Sequence, residues 1–182
     1  MHYKKYNFFT YIDNLNQENI TKINKKVNII LRNYKKEFKN NELINFVKFC
    51  KKHNRKIYLA NNVKKAKIMN FDGAYIPSFN KLPIKYNQSI KKKFNIIGSA
   101  HCIKEILIKK NQKVDMIFIS PLFKNKKNRN LLGILKFNLM TKRFKDKFIA
   151  LGGINKQNEN KLKLLDINGY AAINYFQTNH HL

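Results

Sequence analysis

Eight short apolar runs, separated by longer amphipathic stretches, constrain what this chain can fold into more than any other feature. The runs are Tyr6–Ile12, Val27–Arg32, Lys56–Ala60, Gly73–Ile76, Asn95–Gly98, Val114–Ile119, Lys147–Leu151 and Tyr170–Ile173. They are apolar on both faces, as strands buried on both sides must be; a half-solvated strand would alternate. Between them the period changes. Over Asn41–His53, Leu43, Ile44, Phe46, Val47 and Phe49 recur at helical spacing. Further helices are predicted over Gln17–Lys25, Val63–Asn70, Asn87–Lys93, His101–Lys110, Leu135–Phe144 and Lys156–Leu165, with Ile103, Ile106 and Leu107 facing inward. Lys124–Asn130 is polar, basic and turn-like, and little room remains for a helix after Tyr175.

Strands that alternate with helices predict a parallel sheet. Eight of them favour closure into a (β/α)8 TIM barrel, and with 182 residues several of its helices must be short. An open doubly wound sheet is the alternative, weakened because no G-x-G-x-x-G follows the first run. With 6 Gly and 3 Pro the chain is too poor in turn residues for an all-β fold. No linker or low-complexity stretch divides it, so residues 1–182 read as one domain.

The formal net charge of +28 suggests a polyanion partner. Yet the chain has four arginines (Arg32, Arg55, Arg129, Arg143) among its 38 basic residues, and base readers lean on arginine. Lysine is spread along the whole chain, and its abundance with Asn and Ile is what an AT-rich coding sequence favours. No nucleic-acid partner is therefore expected, while the positive field suits small phosphorylated substrates. Cys50 and Cys102 have neither metal-ligand nor disulfide spacing and read as reduced core residues. No apolar run reaches the roughly 18 residues of a membrane span. Lys4 and Lys5 precede too short an apolar stretch, without a cleavage site, for a signal peptide. A soluble, cytoplasmic protein is predicted, with homo-oligomerisation left open.

In a barrel, ligands sit at the C-terminal ends of the strands. Those ends read Arg32-Asn33-Tyr34, Asn61-Asn62, Pro77-Ser78, Ser99-Ala100-His101, Ser120-Pro121-Leu122-Phe123, Gly152-Gly153-Ile154 and Ile173-Asn174. Glycines at the end of a buried strand let backbone N–H groups approach an anion, which makes Gly152-Gly153 the strongest candidate site. Ser99 and His101 equally fit a helix cap, and Ser120-Pro121 a strand terminator. Acids are scarce: Asp72 belongs at the N-terminal side of its strand. Neither a paired-carboxylate hydrolase nor a Ser-His-Asp triad is supported.

The order of these strand ends resembles the thiamine-phosphate synthase superfamily, which also includes a thiazole tautomerase. The matching residues are Leu31-Arg32, Asn61-Asn62, Asp72 to Ile76, Ile97 to His101 with Glu105, Asp115 to Phe123, Ala150 to Ile154 and Gly169 to Asn174. The resemblance covers about Phe8 to Phe176 and is strongest after Asn95. It implies thiamine biosynthesis: a transferase that joins hydroxymethylpyrimidine diphosphate to thiazole phosphate, with release of diphosphate and with Mg²⁺ as cofactor. It further implies a diphosphate-side role for Arg32, a place beside the pyrimidine diphosphate for Asn61, and a site role for Ser99. Gly152, Gly153, Ile173 and Asn174 would cradle the thiazole phosphate, Asn174 replacing a Ser.

The chain departs from that pattern. Asn62 stands where the family has a Mg²⁺-binding Asp, and Asn80 near the second; an amide oxygen binds the ion without charge, and affinity falls. The usual pyrimidine-contacting Gln falls at Ile30 and the usual Lys at or near Tyr34. The Thr-x-Thr-Lys loop reads Asn125-Lys126-Lys127-Asn128, whose lysines would neutralise diphosphate in place of metal. Pro121 stands where the tautomerase has its His. The expected activity is synthase-like, with a tautomerase or a non-catalytic binder of thiazole or thiamine phosphates as the alternative.

Overall fold

The computed structural model describes residues 6–35, 37–84, 94–124 and 131–178. Eight strands run in chain order: β1 (Asn7–Ile12), β2 (Val27–Leu31), β3 (Ile57–Ala60), β4 (Gly73–Ile76), β5 (Asn95–Ala100), β6 (Met116–Ile119), β7 (Phe148–Leu151) and β8 (Gly169–Ala171). The helices are α1 (Gln17–Lys22), α2 (Asn40–Lys52), α3 (Val63–Ile68), α4 (Ile103–Asn111), α5 (Gly133–Thr141) and α6 (Asn174–Thr178). Each strand pairs in parallel with the next and β8 pairs with β1, closing the ring. Followed once around, the register returns to β1 displaced by eight residues, the shear of a (β/α)8 barrel.

Closure explains why the runs are apolar on both faces. Alternate residues point into the barrel, where Phe9, Tyr11, Ile30, Tyr58, Tyr75, Ile97, Met116, Phe118, Ile149 and Ala171 form one core. The intervening residues point outward and pack under the helices in a second, larger core. Inside, rings meet edge to face from Tyr58 through Phe9, Phe118 and Tyr75 to Tyr11, with centroids 4.9–5.9 Å apart. On the outside, α2 buries Leu43, Phe46, Val47 and Cys50.

A reciprocal brace recurs at the opposite end of the barrel from its mouth. Asp72, just before β4, accepts the Ile57 N–H on Oδ2 at 2.9 Å and donates its own N–H to the Ile57 carbonyl at 3.0 Å. Asp115, before β6, does the same with Ile96, at 2.7 and 2.6 Å. Asn168, before β8, does so with Phe148, at 3.2 and 2.7 Å. Asp72 thus lies at the N-terminal side of β4, where the sequence pattern puts it, and Asp115 has the same structural use.

Several expectations need correction. β5 runs on to Ala100, so Ser99 lies within the strand. The segment read as a helix over Lys156–Leu165 forms only a 3₁₀ turn, Glu159–Leu164. Asn155 and Asn158 bind each other's backbone there and hold the chain in turns. Helix α6 does form after β8. On α4 the inward residues are Ile106 and Lys109, while Ile103 and Leu107 are 39% and 48% exposed. Cys50 is core, but Cys102 is exposed at the N-cap of α4. The helix expected over Asn87–Lys93 lies outside the described residues.

Candidate functional site

The mouth on the β1–β4 side is aromatic and cationic. Tyr11 is the last inner-row residue of β1, and the Arg32 guanidinium lies over its ring, 4.3 Å from the centroid. Arg32 is fixed by its N–H bond to the Ile12 carbonyl at 2.7 Å. The Tyr11 hydroxyl is buried and has no hydrogen-bond partner among the described residues. Burial, and then the Tyr75 phenol beside it, hold Tyr11 well above the usual tyrosine range, so it stays a neutral donor. Above them Tyr34 and Phe79, 51% and 61% exposed, meet edge to face with centroids 5.5 Å apart. Neither Tyr11 nor Phe79 stands out in the sequence. The signal for Tyr11 is a polar aromatic at the C-terminal end of an inward row.

Asn61 follows β3 in the left-handed region, φ 59°, with its N–H bonded to the Tyr75 carbonyl at 2.7 Å. Its Oδ1 accepts Asn80 Nδ2 at 2.7 Å, so the structure joins Asn61 to Asn80 directly. Asn62 caps α3, accepting the Lys65 N–H at 2.8 Å. Asn80 Oδ1 accepts the Leu82 N–H at 3.1 Å. The two positions implied for Mg²⁺ thus offer uncharged amide oxygens that already accept backbone N–H groups. Among the described residues no group of three His, Cys, Asp or Glu side chains is placed to hold a metal. This donor set does not fit the ion that the resemblance implies, and no step below is routed through one.

Beneath this loop lies Lys109, fully buried on α4. Its ammonium donates to the Pro77 carbonyl, the Asn80 carbonyl and Gln112 Oε1, each at 2.8 Å. Burial lowers its pKa to about 8, opposed by Glu105.

The mouth on the β5–β8 side is polar, and Glu105 Oε2 accepts the His101 N–H there at 2.7 Å. Ser99 is buried in the inner row beside Phe118. His101 Nδ1 lies 2.8 Å from the Ser120 carbonyl and 3.2 Å from its hydroxyl. A carbonyl only accepts, so Nδ1 donates and the neutral ring keeps its lone pair on Nε2. The Ser120–Pro121 peptide is cis.

Gly152 and Gly153 have φ of 101° and 70°. A Cβ on Gly153 would come within 2.5 Å of the Phe123 carbonyl and 2.6 Å of that of Lys124. The loop after β6 therefore seats directly on the two glycines. Their carbonyls are taken: Gly152 accepts the Phe123 N–H at 3.0 Å, and Gly153 accepts Asn158 Nδ2 at 2.8 Å. The N–H groups of Gly152, Gly153 and Ile154 donate to no backbone carbonyl among the described residues. Carbonyls engaged and N–H groups left over is the arrangement that receives an anion. At the end of the adjacent strand β8, Ile173 is 40% exposed and Asn174 opens α6. Asn125, Lys126 and Lys127 lie outside the described residues.

A closed ring of eight parallel strands, with its candidate residues at the C-terminal ends, defines the class: a (β/α)8 barrel. The chain belongs to the thiamine monophosphate synthase family, whose model matches residues 16–176. It is a divergent member. It is 32% identical over 146 residues to a thiamine-phosphate synthase of Prochlorococcus marinus, a match covering 76% of this chain and 42% of that protein. The chain thus spans less than half the length of that relative. Among solved structures it resembles a thiamine phosphate pyrophosphorylase from Pyrococcus furiosus, with TM-score 0.72 and 16% identity, covering 97% of this chain and 89% of the other. One from Bacteroides thetaiotaomicron gives TM-score 0.61 and 17% identity, covering 93% and 82%. At such identities the likeness is one of fold. No helix among the described residues is long and apolar enough to cross a membrane.

Proposed function

We propose that the protein joins a pyrimidine diphosphate to a thiazole phosphate with release of diphosphate. The observation that carries this reading is the division of the mouth. An Arg32, Asn61 and Asn80 side faces a glycine N–H cradle at Gly152-Gly153. Among the described residues, the carboxylates nearest the strand ends are Asp13, just after β1, and Glu105, which is engaged by the His101 N–H. The bond from the pyrimidine methylene carbon to the diphosphate oxygen breaks, and its electron pair leaves with the diphosphate. The thiazole nitrogen lone pair then forms the new C–N bond. No proton has to be removed by a base, so a site of donors and cations suffices.

In this reading Arg32 meets the diphosphate, with Lys126 and Lys127 adding charge. Asn61 and Ser99 orient the pyrimidine half, and Gly152, Gly153, Ile173 and Asn174 hold the thiazole phosphate. The test is incubation of purified protein with both half-substrates, with and without Mg²⁺, and detection of thiamine phosphate by mass. No product above the no-enzyme control at high protein concentration sinks the proposal. Arg32→Gln lowers kcat/KM about 100-fold, roughly 2.7 kcal/mol. Lys126→Ala/Lys127→Ala weakens diphosphate binding in calorimetry.

A second reading, a binder of thiazole or thiamine phosphates without turnover, is favoured by one observation: the engaged amide oxygens at Asn62 and Asn80. Thiazole phosphate binding without product in the same sample selects it.

A further inference from the structure

We propose that Lys109, with Gln112, is a positioning residue that sets Asn80 and Phe79 in the mouth without touching substrate. The connection from β4 to β5 contains no helix among its described residues. Instead the segment Pro77–Leu82 is held from outside the barrel by α4 and the residue that caps it. Lys109 donates to the Pro77 and Asn80 carbonyls, both at 2.8 Å. Gln112 accepts a third Lys109 bond and donates to the Asn80 and Leu82 carbonyls at 3.1 and 2.7 Å. The lysine stem reaches the segment past Gly98, where a Cβ would stand 2.9 Å from Lys109 Cδ. On its other side the same segment presents Asn80 to Asn61 and Phe79 to Tyr34. One continuous path of bonds therefore links a buried ammonium to the mouth: Lys109, the Asn80 carbonyl, the Asn80 side chain, Asn61.

Burying an ammonium is expensive, and a methionine would fill the same slot at lower cost. What the cation adds is direction. Three oxygens converge on one nitrogen, and two of them belong to the segment that carries Asn80 and Phe79. Gln112 closes the arrangement by using its other end on the same segment. The clamp is read from these contacts alone; its consequence for binding rests on the proposed function.

The test uses the full chain. Lys109→Met fills the slot without charge, and Lys109→Ala empties it, leaving room for n-propylammonium. Hydrogen exchange over residues 77–84 is compared with that over β6, and binding of inorganic diphosphate is measured by calorimetry. In both variants exchange over 77–84 rises about tenfold or more while β6 is unchanged, and diphosphate binding weakens about tenfold. n-Propylammonium restores both in Lys109→Ala, whereas n-propanol does not. KM for the thiazole phosphate stays within about twofold of the wild type, because the glycine cradle is not held by this clamp. Unchanged exchange over 77–84, or an equal rise in β6, overturns the clamp. A local rise with undiminished diphosphate binding overturns its role in positioning the site. If the wild type itself binds no diphosphate, the proposed function fails, and the exchange arm with amine rescue still decides the clamp.

Discussion

A methyl group on Gly153 would collide with two carbonyls of the loop after β6, in a backbone whose φ of 70° already disfavours any side chain. Gly153→Ala is expected to cost about 1–3 kcal/mol in denaturant unfolding. It should also weaken thiazole phosphate binding in calorimetry. Lost stability with undiminished binding would mean that the glycine serves the loop alone. The sequence shows the Gly-Gly at a strand end but not what rests on it, because the contact joins residues far apart in the chain. The two cysteines separate in a similar way. Cys50 is buried and its pKa is pushed up to about 12, mainly by burial. Cys102 is exposed at the start of α4. Brief treatment of the native protein with iodoacetamide should add one alkyl group by mass, at Cys102, and a second only after unfolding. Apolar context reads Cys50 correctly and Cys102 wrongly, since Cys102 lies at the N-cap of α4 and is exposed there.

At the scale of elements, the strands are legible because each carries its own two-faced apolar run. Their limits are less so. Ser99 belongs to β5 because it pairs with Phe118 in a register that runs from Ile97 to Ala100, which no local pattern reveals. The inward face of α4 reads wrongly for a physical reason: its buried stripe contains Lys109, and a lysine in a helix reads as solvent-facing. Of the braces before β4, β6 and β8, the one at Asp72 is legible, as an acid on the wrong side of its strand for catalysis. Asp115→Ala and Asn168→Ala should each cost about 1–3 kcal/mol, since each leaves a strand N–H without its side-chain acceptor. Thiazole phosphate binding should not change, because the braces lie at the end of the barrel away from the mouth. Reduced binding in either variant would show that the two ends are coupled.

For the molecule as a whole, closure is legible from the count of strands, whereas the shear that closes the ring is a property of pairings. The candidate site is legible as an ordered set of strand ends. Its aromatic side is not, because Tyr11 meets Tyr75, and Tyr34 meets Phe79, only through folding. The buried titratable groups set the response to alkali. Burial raises the Cys50 thiol and the Tyr11, Tyr58 and Tyr170 phenols. Groups raised in the folded state contribute stability that is whole below their unfolded pKa, about 9 for the thiol and about 10 for the phenols, and is lost above it. Lys109 and Arg55 are lowered and oppose this, Lys109 between about pH 8 and 10.5. The raised groups outnumber them, so the melting temperature should fall steeply above about pH 10. A melting temperature that holds level from pH 9 to 11 would contradict that balance.

The three braces also sort the ring into units. Each ties a strand to its successor, β3 to β4, β5 to β6 and β7 to β8, and none of the three spans the seams between those pairs. A circular permutant with its new ends between β6 and β7 keeps every brace. One opened between β7 and β8, at Asn168, gives one up. The first should fold with the greater resistance to urea, making the strand pair, and not the single βα unit, the smallest piece by which this barrel tolerates being recut.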